Sequence, residues 1–407
     1  MDIDIEWVIY HLIHDDEGFE EANLEIDYYE IDVWDRLMVS LRRNSTLLKL
    51  SVERSESLLA RSRNPYQLQE FFEAIESLPL LVELKLIGFA AEDLDYGFVD
   101  FVRNHETLTK FTLHVAYRRL NTNIPVALAS APRLRQVELD LPTSTPLVAL
   151  CQSPALEELT IECFGGVKFQ DEHLIPMAEA LCTNRKLTYF DLEHSISASG
   201  LDRMAQMLEH NTDLQVLRLS FFDGMEHAES VCHRVIEALG KNECLTHFHN
   251  YQSTQVRVPP EMRQAQLEML ERNFTLGYFL LFSQDDVTRE NLYFKLNLGG
   301  RWQLFLNDEA PKSSWLDMLC NHREDLDCLY YYLSINPSLC KSETASSLWT
   351  TSTNSNKDMM AAEECGKLRK RQKLEKGHSD QDQVVCQDSR VDYAENTTVD
   401  IRAEPYF

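Results

Sequence analysis

Apolar residues recur along this chain in the pattern L-x-x-L-x-L, and nine segments fit it. They begin at Leu47, Leu81, Leu108, Leu134, Leu156, Leu187, Leu214, Leu245 and Leu276. Only Asn250 falls on an apolar position of the template. The intervals between leading leucines run from 22 to 34 residues with a mean near 29, a period that belongs to long leucine-rich repeats. A second register accompanies the first. Six residues before each leading leucine stand Leu41, Ile75, Val102, Leu128, Leu150, Leu181, Leu208, Leu239 and Leu270. Three residues earlier stand Met38, Phe72, Val99, Pro125, Leu147, Ala178, Ala205, Ile236 and Leu267. A spacing of three is one face of a helix, and alternation over a short run is a half-buried strand. Each unit therefore predicts an outer helix, a short turn and an inner strand.

The turns carry their own signal. Asn44, Asn184, Asn211, Asn242 and Asn273 each lie three residues before the leading leucine. Asparagine tolerates the left-handed conformation that ends many helices, so the expected role is a helix stop. Ser77, Asn104 and Ser130 stand one residue earlier and suggest turns longer by one.

Strings such as MAEALCTNRKLTYFDL, MAQMLEHNTDLQVLRL and VIEALGKNECLTHFHN resemble the ribonuclease-inhibitor-like branch of leucine-rich repeats over roughly residues 32–283. The resemblance implies an α/β leucine-rich-repeat solenoid, a horseshoe with a parallel concave sheet. It also implies the roles found in that branch: enzyme inhibition, regulation of small GTPases and ligand sensing. One feature departs from the family. The usual Asn or Cys eight residues after the leading leucine is replaced by Ser55, Phe89, Ala116, Pro142, Phe164, Ser195, Phe222, Ser253 and Gln284. The hydrogen-bonded ladder of that position is therefore not expected.

The ends differ from the repeats. Residues 1–31 read as an acidic N-terminal cap in which Trp7, Val8 and Leu12 cover the first repeat. Residues 1–40 hold thirteen acids against one base, Arg36. Residues 284–340 read as a helical C-terminal cap, with one helix broken at Gly299-Gly300 and a second running through SSWLDMLCNHREDLDCLYYYLSINP to Pro337. Residues 341–407 lack periodicity and read as a disordered tail. Within it, Lys367, Arg369, Lys370, Arg371 and Lys373 form a basic run that can serve nuclear import.

The formal charge of −27 argues against nucleic acid or an anionic membrane as the main partner. The opening residues MDIDIEW lack a signal peptide's basic and apolar regions, and no apolar run reaches membrane-spanning length. A cytoplasmic protein is expected, nuclear if the basic run is used. Ten cysteines without a CxxC pair read as reduced, mostly buried thiols.

Alternate strand positions should face the groove. They form a central acidic block of Glu138, Asp140, Glu158, Glu162, Asp191 and Glu193, and a terminal group of His247, His249, Tyr251, Tyr278 and Phe282. Such a surface suits a protein partner with a basic face and an apolar anchor. His247 and His249 share a strand face, but the flanking strands offer Arg218 and Leu280, so neither a metal nor another cofactor is expected. Phosphate-loop, dinucleotide, HExxH and GxSxG signatures are absent. Arg54, Arg61, Arg63, Arg118 and Arg119 lie where loops leave the strands, which is where an arginine acting on a bound nucleotide would sit. The function expected from sequence is non-catalytic protein binding on the concave face. The alternative is regulation, by inhibition or activation, of an enzyme or small GTPase.

Overall fold

The computed structural model describes residues 5–14, 19–25, 31–54, 65–95, 97–115, 120–141, 145–162, 169–221, 228–250, 259–280 and 288–298. Towards the C-terminus it describes positions 301, 315, 318–320, 322–323 and 325–336. The basic run 367–373 and the tail 341–407 lie outside the described residues, as do Arg61, Arg63, Arg118 and Arg119.

Helices and strands alternate as the two registers predict. The strands are β1 (Glu21–Glu25), β2 (Lys49–Glu53), β3 (Glu83–Phe89), β4 (Lys110–Val115) and β5 (Gln136–Asp140). They continue as β6 (Glu158–Glu162), β7 (Tyr189–Ile196), β8 (Val216–Phe221), β9 (His247–Asn250) and β10 (Tyr278–Leu280). All pair parallel in sequence order as one open sheet of ten strands. A helix precedes each strand: α1 (Ile5–His14), α2 (Ile31–Arg43), α3 (Pro65–Glu76), α4 (Phe98–Asn104), α5 (Asn123–Ser130), α6 (Val148–Cys151), α7 (Asp171–Thr183), α8 (Ala198–His210), α9 (Ala228–Lys241) and α10 (Pro260–Arg272). Among the described residues α11 (Thr288–Leu298) and α12 (Leu326–Ile335) follow β10, and residues 318–320 between them are helical as well. This is an α/β solenoid of the leucine-rich-repeat type, in which each unit buries its apolar face only against its neighbours.

The core lies between the helices and one face of the sheet. All nine leading leucines and all nine helix residues six positions upstream are buried. Asn250, the polar residue on a template position, is buried too, in register with Leu219. Two positions of the outer helix register shift: Val99 and Leu267 are half-buried, and Phe98 and Gln266 point inward instead. Cys151 and Cys232 are buried, and Cys182 half-buried, on the inner helix faces; burial pushes the first two thiols up to about 12.

β1 adds one strand to the nine repeated segments. Phe19, Ala22 and Leu24 occupy its template positions; Ala22 and Leu24 are buried and Phe19 is partly buried. An alanine and a phenylalanine in a leucine pattern concealed this unit. Val8, Ile9 and Leu12 of α1 are buried beneath it, whereas Trp7 is half-exposed and packs on His11 and Phe19. Trp7 therefore does not cover the first repeat: it lies one residue before the buried stripe, on the outward side of α1.

The turn asparagines do something other than enter the left-handed region. Asn184, Asn211 and Asn273 have φ near −68°, −79° and −84° with extended ψ. Their side chains explain the choice. Asn242 Oδ1 accepts from the backbone N–H groups of Cys244 (3.0 Å) and Leu245 (2.7 Å). Its Nδ2 donates to the carbonyls of Leu208 (2.8 Å) and Asn211 (3.0 Å) in the preceding unit. All four bonding positions of the amide are thereby used. Asn184, Asn211 and Asn273 repeat this arrangement. Asn44 does so towards Leu12. A polar ladder therefore exists on the helix-to-strand side of the array.

Of the longer turns suggested by Ser77, Asn104 and Ser130, the one at Ser77 occurs, with six residues between the end of α3 at Glu76 and the start of β3 at Glu83, whereas five follow α4 and α5 as after most helices. Asn104 is exposed and donates to Glu76, while the ladder position in that unit is held by His105. His105 Nδ1 accepts from Leu108 N–H, as an asparagine oxygen would. Ser153 does the same for Ala155 and Leu156 and donates to Ala129.

At the C-terminal end Arg301 completes the ladder. Its Nη2 donates to the carbonyls of Leu270 (2.7 Å) and Asn273 (2.8 Å), the positions an asparagine of a further unit would use. The guanidinium is fully buried among the rings of Phe274, Tyr293 and Tyr331. α11 ends at Leu298, just before Gly299. The second helix expected across residues 313–336 is interrupted instead. A turn at His322–Arg323 is followed by Asp325, whose Oδ1 accepts from Cys328 N–H and caps α12.

Candidate protein-binding face

Parallel register sets side chains of successive strands in rows on the face of the sheet opposite the helices. One row runs Lys49, Glu83, Lys110, Gln136, Glu158, Tyr189, Val216, His247, Tyr278. The next runs Ser51, Lys85, Thr112, Glu138, Thr160, Asp191, Arg218, His249, Leu280. These are the alternations the sequence predicts, at about 4.8 Å per strand.

The third row departs. It holds from Glu53 through Ile87, His114 and Asp140 to Glu162, but β6 and β7 pair only as far as Leu192. Ser220 then pairs with Ser195, because Glu193 and His194 bulge out of the ladder. His194 turns inward against Phe169, and Glu193 is exposed. A bulge is also present where β3 meets β4, and Gly88 takes φ +72° there with Arg54 O close to its Cα. Arg54 itself is buried in an ion pair with Asp93 and is not exposed for contact with a ligand.

The acidic residues of β5–β7 come together, yet not as equals. Asp140 is buried, with His114 Nδ1 at 3.4 Å. Asp191 is also buried; it accepts from the Tyr189 hydroxyl at 3.0 Å and lies 3.6 Å from Arg218. Glu138, Glu158, Glu162 and Glu193 are the partly or fully exposed members. The Glu162 carboxyl is raised above the ordinary glutamate value, first by burial and then by Glu193, Glu138, Asp140 and Asp191. The Tyr189 phenol is pushed up to about 12 by burial and by Asp191.

Beyond this block the face changes character. Arg218, His247, His249 and Tyr278 line an open hollow of about 290 Å³. The His247 ring is roughly parallel to that of Tyr278, and the His249 ring meets it edge-on. Both imidazoles are held below the ordinary histidine value by burial and by the neighbouring Arg218 charge. Tyr278 is 43% exposed, so α11 and α12 do not cover it; the cap uses Phe274, Tyr293 and Tyr331 instead. Tyr251 and Phe282 lie outside the described residues. Arg218 is the residue sequence reasoning passed over, since it interrupts an acidic-to-aromatic pattern; its row position gave the signal.

Among the described residues no group of three or more His, Cys, Asp or Glu could hold a metal ion, and no helix is long and apolar enough to cross a membrane. No family model and no curated protein matches the chain. Among solved structures it is similar to one described as Leiomodin-1 Actin-Binding Site 2 (ABS2), at 19% identity and a TM-score of 0.28, over 34% of this chain and 79% of that one. So slight a likeness carries no argument about function.

Proposed function

We propose that the chain is a non-catalytic protein-interaction module, a divergent ribonuclease-inhibitor-like repeat protein whose helix-free sheet face binds a protein with a basic surface. The crowding of carboxylates around Glu162 carries this reading. Burial and four like-charged neighbours raise that carboxyl, and a cationic partner relieves the repulsion. The overall charge of −27 favours the same partner and disfavours nucleic acid and anionic membrane.

The test is affinity capture from lysate with the intact chain and with Glu158→Lys/Glu162→Lys. Glu158 is exposed and Glu162 half-buried, whereas Asp191 is buried, holds Tyr189 and Arg218 and is unsuited to charge reversal. The double variant is expected to fold and to lose partners that the wild type retains. Equal capture by both proteins defeats the reading.

A further inference from the structure

Building on the proposed binding face, we infer that the hollow lined by Arg218, His247, His249 and Tyr278 receives an oxyanion of the bound segment, a carboxylate or phosphate, lying about four residues from the cations that the β5–β7 carboxylates attract. Four features carry it.

Arg218 is the one cation among the described row positions of β5–β10, and it stands at the boundary between the acidic block and the hollow. Asp191 and the Tyr189 ring hold it from one side, while the side chain remains 44% exposed. Guanidinium presents a planar set of five N–H donors suited to an oxyanion.

His247 has an assigned proton. The Thr246 hydroxyl donates its single hydrogen to Gln215 O at 2.9 Å, so its oxygen accepts from His247 Nδ1 at 2.9 Å. In neutral His247 the Nε2 therefore carries a lone pair. A second proton converts Nε2 to a donor, and an oxyanion in the hollow favours that protonation. Among the described residues, Thr246, Arg218 of β8 and Tyr278 of β10 face His247, and Asp191 of β7, Arg218 and Tyr278 face His249.

Burial and Arg218 both favour the neutral form of the two imidazoles in the free protein, with Asp191 opposing them at His249. A bound anion offsets both effects, so binding draws protons onto the histidines and weakens as pH rises through their bound-state values.

Spacing supplies the last feature. β6 and β9 are three strands apart, about 14 Å at about 4.8 Å per strand, which an extended segment spans in about four residues. Cations over β5–β7 neutralise the acidic field that would otherwise repel an isolated anion.

Calorimetry on the full chain tests this with three acetylated, amidated peptides: Lys-Lys-Ala-Ala-Ala-Glu, and the same sequence ending in phosphoserine or in Gln. The Glu and phosphoserine peptides are expected to bind about threefold or more tightly than the Gln peptide. The Glu peptide's advantage should grow between about pH 8 and about pH 6, where its own charge is constant. Whichever of the two is tighter identifies the source as carboxylate or phosphate. Arg218→Gln should erase the advantage, Arg218→Lys should restore part of it, His247→Gln should reduce its pH dependence, and His247→Gln/His249→Gln should remove it. A thermal melt of each variant shows that it is folded. Equal affinities for all three peptides, with the Gln peptide still losing affinity in Glu158→Lys/Glu162→Lys, overturn the oxyanion site and leave the basic-partner reading standing. Tighter binding of a peptide ending in Trp assigns the hollow to an apolar anchor and overturns the site. Failure of every peptide to bind overturns both.

Discussion

The two halves of the repeat array solve one problem by different chemistry. After each helix the backbone must turn into a strand, and its buried N–H and C=O groups need partners. From Ser153 onward the solution is polar: Asn184, Asn211, Asn242 and Asn273 each join two units, and Arg301 closes the series. Before Ser153 the corresponding positions are Asn44, Leu78, His105 and Ala131; Asn44 makes the same bonds towards Leu12, but over the next three units no asparagine follows and the partners are scattered. Thr107 Oγ1 reaches Leu81 O, and Arg135 Nη1 reaches Ala155 O. What that half adds instead is aromatic mass. Phe71, Phe72, Phe98, Phe101 and Phe111 are all buried, with ring centroids 5.2–6.3 Å apart. A periodic fold therefore does not demand a periodic device at each joint; it demands that every joint be satisfied and every unit buried.

The comparison can be broken from either side. The largest effect is expected in the aromatic half: Phe98→Ala removes a ring packed against three others and should cost about 3–5 kcal/mol, read as a lowered urea midpoint. Asn242→Ala comes next. It strands two N–H groups and two carbonyls, and a loss of about 2–4 kcal/mol is expected. Because repeat arrays couple mainly through neighbours, hydrogen exchange should rise first at Leu245 and in the turns of the adjoining units. Equal protection throughout the array would show that the ladder is not a local clamp.

Arg301→Met should have a smaller effect, about 1–3 kcal/mol, because the buried charge is costly even with its carbonyl partners and its replacement by an apolar chain offsets part of the loss. Its mark should be local: faster exchange at α11 and α12 with β2–β8 unchanged.

His105→Asn should sharpen the comparison most finely. It places the ladder residue in a unit that lacks it, with a change of about 1 kcal/mol or less. Burial holds His105 below its ordinary value in the folded chain. The unfolded chain therefore takes up the proton first, and stability falls as pH drops through about 6.5. The asparagine variant should lose that part of the acid sensitivity, seen as a shallower fall in melting temperature between about pH 7 and about pH 5. An unchanged slope would place the sensitivity elsewhere, with His114, His247 and His249 the next residues to replace.

The architecture was legible because leucine spacing is a local signal. An apolar residue at fixed distance from a helix turn reports a core position whatever the neighbours do, and nine repetitions make the period plain. The row partners across the sheet followed from the same alignment, since parallel strands of equal length pair in register. β1 escaped because Phe19 and Ala22 satisfy burial without resembling leucine. The bulge at Glu193–His194 escaped because nothing within β7 shows that Ser195, and not Glu193, meets Ser220.

Thus the sequence by itself determined the period, the helix-then-strand order and which side chains share a face. Tertiary structure alone decided which polar groups are consumed internally. Asp140 and Asp191 read as surface acids until the neighbouring strands supply His114 and Arg218. The asparagines read as helix stops until the preceding unit supplies its carbonyls, and Arg301 reads as one more surface cation until the last turn and three rings enclose it. The physical reason is common to all of them. Apolar burial is set by local pattern and is nearly indifferent to the partner, whereas a hydrogen bond or ion pair exists only where two distant stretches of chain place complementary atoms within about 3 Å.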